Sequence, residues 1–242
     1  MPPGVGRAVQ RCQLVDGQVE DGGETRRETL RFEERLVELF LHTRAGLGEL
    51  FAADAVSRRG VMQHMYAEGL VLRERDGAAT RIKQHAANAL REGPGALAWA
   101  TVESQRYVLT EALDDLADAV DVVERLTVAN VVLSTAADLL FDHRRAWTGS
   151  GNWLPRRLLQ ADPQHGGALL DGYRRLCENG EPKDLADAAV EIVALMGGPL
   201  REGYVRTWRA AAPPAARRVP AGGLTEPEPE SDGGCGDCAV ET

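Results

Sequence analysis

The sequence predicts an α+β, mostly helical fold: a small mixed sheet near the N-terminus, then a helical bundle. Three observations carry this. Apolar residues recur at helical spacing through the second half, strand-like runs fall before Gly77, and glycine or proline marks most expected helix ends. The chain divides into an α+β part over 1–77, a helical domain over 78–211 and a tail over 212–242.

Residues 8–15 read as a short strand. Asp16-Gly17 makes a turn, and the polar, glycine-bearing stretch 16–28 reads as loop or a fraying hairpin. Residues 31–43 read as one strand, in which Phe32, Leu36, Leu39, Phe40 and Leu41 supply bulk. A helix over 45–59 places Leu47, Leu50, Phe51 and Ala55 on one face and ends at Gly60. Within 61–76, Gly69-Leu70-Val71-Leu72 followed by Asp76-Gly77 reads as a short strand and turn, and 78–91 as a helix stopped by Gly93-Pro94.

The bundle follows. Leu109, Leu113, Leu116 and Val120 step by four, three and four, and Leu126, Ala129, Leu133, Ala136 and Leu140 repeat the rhythm on the next helix. Asp114, Asp115, Asp118 and Asp121 fall outside that stripe or along its rim. Thr148-Gly149-Ser150-Gly151 breaks the bundle before a short helix over 153–160. Asp162-Pro163 is an N-cap with proline at the first helical position, and Asn179-Gly180 is a C-terminal stop. A helix over 185–196 ends at Gly197-Gly198, and Pro199 opens a last helix to about residue 211. From Pro213 onward the composition is Pro, Gly, Glu and Asp with almost no bulk, too little apolar area to offset the entropy of ordering.

At 242 residues the chain can bury a core without covalent staples. Its net charge of −9 excludes a general grip on nucleic acid, and no basic, aromatic-laced strip points to one. No run of apolar residues is long enough for a membrane span, and the N-terminus has no secretory h-region, so the cytoplasm is the expected compartment. Cys12 and Cys177 read as isolated core fillers; Cys235 and Cys238 form a CxxC without a second ligand pair.

The residue that raises chemistry is Glu38, a carboxylate inside the strand-like run Leu36-Val37-Glu38-Leu39-Phe40-Leu41-His42-Thr43, where a buried strand wants an apolar side chain. Far downstream lies Arg144-Arg145-Ala146-Trp147-Thr148-Gly149-Ser150-Gly151-Asn152-Trp153-Leu154. With these motifs, Arg26-Arg27-Glu28 and its order of elements, the chain resembles bacterial nucleotidyltransferase-domain proteins of the polymerase-β-like superfamily, over roughly residues 12–208. The resemblance implies transfer of a nucleoside monophosphate from a nucleoside triphosphate to a hydroxyl or amine of a small molecule. The small sheet would be the remnant of that fold, with the helical domain shaping the acceptor pocket. It also implies a Gly-Ser pair, two acids one residue apart on a strand, and a third acid on a neighbouring strand, which together hold Mg2+ on the triphosphate.

Glu38 matches the third acid, as catalytic residue and metal ligand. The strand expected to carry the pair reads Gln10-Arg11-Cys12-Gln13, with no carboxylate and no Gly-Ser before it. Asp16 and Glu20 follow in the turn, at the wrong separation for one strand face. Two explanations stay open: a start inside a longer gene, or a degenerate relative. Either way Mg2+ is expected only if the pair is supplied, and transfer from this polypeptide is expected to be impaired. The alternative class is a noncatalytic helical binding or regulatory module.

The expected substrate-binding residues are Arg144, Arg145, Tyr107 and Asp114; arginines beside indoles can hold a nucleotide or a carboxylate. Arg58-Arg59 suit a helix C-terminus or a phosphate across a cleft. Met62, His64, Met65 and Tyr66 read as packing between the two parts, and His42 as a capping or half-buried histidine.

Overall fold

A computed structural model describes residues 10–14, 24–74 and 76–207. Asp16, Glu20, the Cys235–Cys238 motif and the tail lie outside the described residues. The described residues up to Tyr204 group as one compact unit. The described fold is α+β and mostly helical, with a three-stranded mixed sheet and eight α-helices among the described residues.

The strands are β1 (Gln10–Leu14), β2 (Arg26–Phe32) and β3 (Arg35–Leu41), in the order β1-β3-β2. β1 runs parallel to β3 with Arg11 opposite Glu38; β2 runs antiparallel to it with Thr29 opposite Glu38. The single strand expected over 31–43 is therefore a hairpin. Its two-residue turn is Glu33-Glu34, with φ of 41° and 63°. Such turns select glycine, asparagine or aspartate, so the two glutamates gave no turn signal.

Among the described residues no helix packs across the strands. β2 is exposed along its whole length. The sheet is moored at its end instead: Thr43 N–H donates to Thr25 Oγ1 at 3.2 Å, and His42 Nδ1 and the Tyr66 hydroxyl share a 2.5 Å hydrogen bond.

Helix α1 (Arg44–Ser57) begins at Thr43, whose hydroxyl accepts from Gly46 N–H, and ends at Arg58, which takes the left-handed conformation at φ 58°. Gly60, also left-handed, starts α2 (Val61–Glu68) rather than ending α1. The short strand expected at 69–72 is absent. Among the described residues no strand lies beside them, and Leu70 and Leu72 are left exposed. Helix α3 (Ala78–Glu92) stops at Gly93 as expected and packs on α2. Leu47, Tyr66 and Ala86 form a small core under these three helices.

The main core lies between α4 (Trp99–Asp118), α5 (Val122–His143), α7 (Pro163–Asn179) and α8 (Lys183–Leu195), with the short α6 (Leu154–Ala161) at its end. The predicted stripe is buried at Leu109, Leu116, Ala129, Leu133, Ala136 and Leu140. Val120 falls past the end of α4 and is exposed. Asp121 caps α5 by accepting from the N–H groups of Val123 and Glu124. Cys177 is exposed, not a core filler.

The helix expected from Pro199 does not form over the described residues. That segment is held along α4 by side chains: Leu200 N–H donates to Thr110 Oγ1, Arg201 pairs with Asp114, and Tyr204 stacks on Tyr107 with centroids 4.3 Å apart. Left-handed Gly203, at φ 82°, breaks helical continuity.

Candidate functional site

Side chains alternate along a strand, so Glu38 shares a face with Leu36 and Phe40 of β3 and with Arg27, Thr29 and Arg31 of β2. Glu38 Oε1 accepts from Arg27 Nη2 at 2.5 Å, and the same guanidinium lies 5.1 Å from the centre of the Phe40 ring. The register positions beside Glu38 on β1 are Arg11 and, two residues on, Gln13. A magnesium ion that activates a triphosphate wants several hard oxygen donors and a negative field. Among the described residues this face offers one carboxylate, already paired with a guanidinium, beside basic and neutral neighbours on β2 and β3. Among the described residues no three His, Cys, Asp or Glu side chains come together to hold a metal ion. The described residues around Glu38 do not fit the ion that the resemblance implies.

The expected substrate-binding residues do not meet. Asp114 and Tyr107 hold the segment after α8, as described above. Arg144 Nε donates to Asp162 Oδ2 at 2.8 Å. Asp162 also accepts from the Gln164 and His165 N–H groups and caps α7. Burial alone would raise the Asp162 carboxyl; the His165 N–H, Arg144 and the His165 ring outweigh it and hold it well below the usual range. Arg145 ends α5 in the left-handed conformation at φ 54°, with its side chain exposed.

What the structure does bring together lies one turn further on. Thr148 N–H and Oγ1 both donate to the Arg58 carbonyl, at 2.8 and 3.1 Å, so the glycine-rich break is hydrogen-bonded to the end of α1. Beneath this junction the Arg58 guanidinium, 9% exposed, pairs with Asp142 at 2.9 Å and donates to the Gly95 carbonyl. Asp142 Oδ1 also accepts from Leu97 N–H at 3.1 Å. Trp147 is buried against Gly60, where a β-carbon would stand 2.9 Å from the indole.

A cavity of about 290 Å3 opens beside this junction. One wall comes from the α1–α2 turn and α2: Arg59, Val61, His64, Met65 and Glu68. The other comes from the break and α6: Thr148, Ser150, Trp153 and Arg157. Gly149 has no side chain because a β-carbon there would lie 2.9 Å from Arg157 Cγ.

The walls are wired together. Arg59 donates to Ser150 Oγ across the opening. Glu68 Oε1 accepts from His64 Nδ1 at 2.8 Å and faces Arg157 Nη1 at 3.5 Å. The Arg157 guanidinium lies 5.2 Å from the Trp153 ring centre, and that of Arg156 5.1 Å. Burial, and then the charge of Arg157, push the His64 imidazole down despite Glu68, so it is neutral at pH 7. The arrangement can hold an anionic head against guanidinium and hydroxyl donors while apolar atoms lie on Val61, Met65 and Trp153. Of its residues, Arg59, His64, Met65, Ser150 and Trp153 drew notice in the sequence. Glu68 and Arg157 did not, and only their position on helical faces turned toward the break could have marked them.

Fold and cavity define a class: a mostly helical α+β protein with a small guanidinium-walled cavity and no described metal-binding cluster. No family model matches the chain, and no curated protein matches it. Among solved structures it is similar to a nucleotidyltransferase-like protein from Exiguobacterium sibiricum 255-15, at 14% identity and a TM-score of 0.40. The alignment covers 77% of this chain and 61% of that one, so the chain spans about three-fifths of the length of the protein it matches. No described helix is long and apolar enough to cross a membrane.

Proposed function

We infer that this chain is a noncatalytic small-molecule-binding module that relates to nucleotidyltransferases in plan and not in chemistry. The observation that carries the reading is the contrast in charge around its two candidate sites. Among the described residues Glu38 has guanidinium and neutral groups beside it on β2 and β3, which disfavour Mg2+, whereas Arg59 and Arg157 line a half-open cavity. The cavity would be what remains of an acceptor pocket; the triphosphate, the metal and the transfer step have no matching donor set among the described residues.

The test is a magnesium-dependent ATP titration of the full chain, with pyrophosphate release followed in parallel. Wild type and Glu38→Ala are expected to behave alike and to release no pyrophosphate above the protein-free rate. Metal-dependent ATP binding that disappears in Glu38→Ala would overturn the reading.

A further inference from the structure

The cavity's charge and size narrow its ligand, a step that rests on the small-molecule reading above. We propose that it takes a compact organic monoanion: a carboxylate on a flat apolar body, its head held by Arg59 and Ser150 and its body lying on Val61, Met65 and Trp153.

The charge count sets the anion. Two guanidiniums and one carboxylate line the cavity, and His64 is neutral at pH 7, which leaves one positive charge to be matched. Glu68 Oε1 is engaged by His64 and Arg157. Asp54 is within electrostatic reach of Arg59 but does not line the cavity, and its Oδ2 accepts the Met62 N–H at 2.5 Å. A phosphate monoester carries about −1.5 to −2 near neutral pH, more than the walls balance. A carboxylate carries one.

Donor geometry agrees. A guanidinium has five N–H groups and pairs with a carboxylate through two of them. Arg59 gives one to Ser150 Oγ and keeps others for a ligand; the Ser150 hydroxyl, having accepted that bond, still has its own proton to donate. Size points the same way. Drug-sized ligands occupy pockets of about 300–1,000 Å3, and 290 Å3 sits at the small end, matched to a one- or two-ring acid and too small for a nucleoside triphosphate.

The test uses calorimetric titration of the full chain with benzoate, 1-naphthoate, phenyl phosphate, benzylamine and Mg–ATP. Expected is binding of naphthoate and benzoate, in that order, with phenyl phosphate at least tenfold weaker and no heat from benzylamine. Arg59→Met should weaken naphthoate about tenfold or more, the cost of losing a charged hydrogen bond, at an unchanged melting temperature. Should Arg59→Met fold poorly, Ser150→Ala reads the same head group. Met65→Trp, which fills the space, should abolish binding, and Arg174→Met, on the exposed face of α7, should leave it unchanged.

Preference for benzylamine or phenyl phosphate over naphthoate, lost in Met65→Trp, would overturn the carboxylate and leave the small-molecule reading standing. Naphthoate binding indifferent to both Arg59→Met and Met65→Trp, or no binding of any probe, would overturn the proposal. Mg–ATP binding that depends on Glu38 would remove the reading beneath it.

Discussion

Glu38–Arg27 and Asp142–Arg58 are the same chemical pair in opposite surroundings. On the sheet, Arg27 is 60% exposed, and water screens the attraction. At the junction of α1 and α5 both partners are 9% exposed, and each also bonds one backbone group. The comparison teaches that an acid's company decides its role. Glu38 interrupts an apolar strand, and among the described residues it forms a cross-strand pair with Arg27. Asp142, on the helix that runs up to the downstream motif, fastens the end of α1, and through it the Arg59 wall of the cavity.

The largest expected effect breaks the buried member. Asp142→Ala leaves the Arg58 guanidinium buried without its counterion, and a loss of about 3–5 kcal/mol is expected in urea unfolding. Glu38→Ala should lose no more than about 1 kcal/mol in the same measurement, because half of its pair lies in water. Equal losses would erase the distinction.

Next is Asp162→Ala, which removes an N-cap and the partner of Arg144 together. About 2 kcal/mol is expected by the same unfolding measurement, with little loss of ligand affinity, since neither residue lines the cavity.

A pH series tests the small core that moors the sheet. Burial lowers the His42 pKa below 6.5, so the folded protein binds fewer protons there than the unfolded chain. Stability from this residue is full above pH 6.5 and declines as the pH falls below it. Melting temperature should drop between pH 7.5 and 5.5, and His42→Gln should flatten part of that slope. His64, lowered in the same direction, adds to the slope, while the raised Asp54 and Asp138 carboxyls oppose it toward lower pH.

The smallest effect concerns the hairpin. Replacing Glu33-Glu34 by Asn-Gly relieves two left-handed non-glycine residues and should add about 0.5–1 kcal/mol, with binding at the cavity untouched.

Local chemistry was legible in the sequence. Asp162-Pro163, Asn179-Gly180, Gly93 and Gly197-Gly198 each mark a helix end where the structure has one. The two long bundle helices were legible from periodicity, and Gln10–Leu14 of the strand read at 8–15 is a strand. The hairpin was not, because Glu33-Glu34 carries no turn chemistry. The false strand at 69–72 shows the converse: an apolar run becomes a strand only where a neighbour can pair with it. The last helix failed because Arg201 and Tyr204 found partners on α4, a tertiary event that no local pattern announces. The cavity was legible only in fragments. Its two walls are about ninety residues apart in the chain, and only folding shows that Arg59 reaches Ser150.

Arg58 and Arg59 are consecutive, yet one closes the interior and the other opens onto the cavity. A ligand gripped by Arg59 would thus brace the peptide that also clamps Thr148, so occupancy and resistance to heat should rise together. Dye-based melting scans could then screen candidate acids without any knowledge of what the protein does with them.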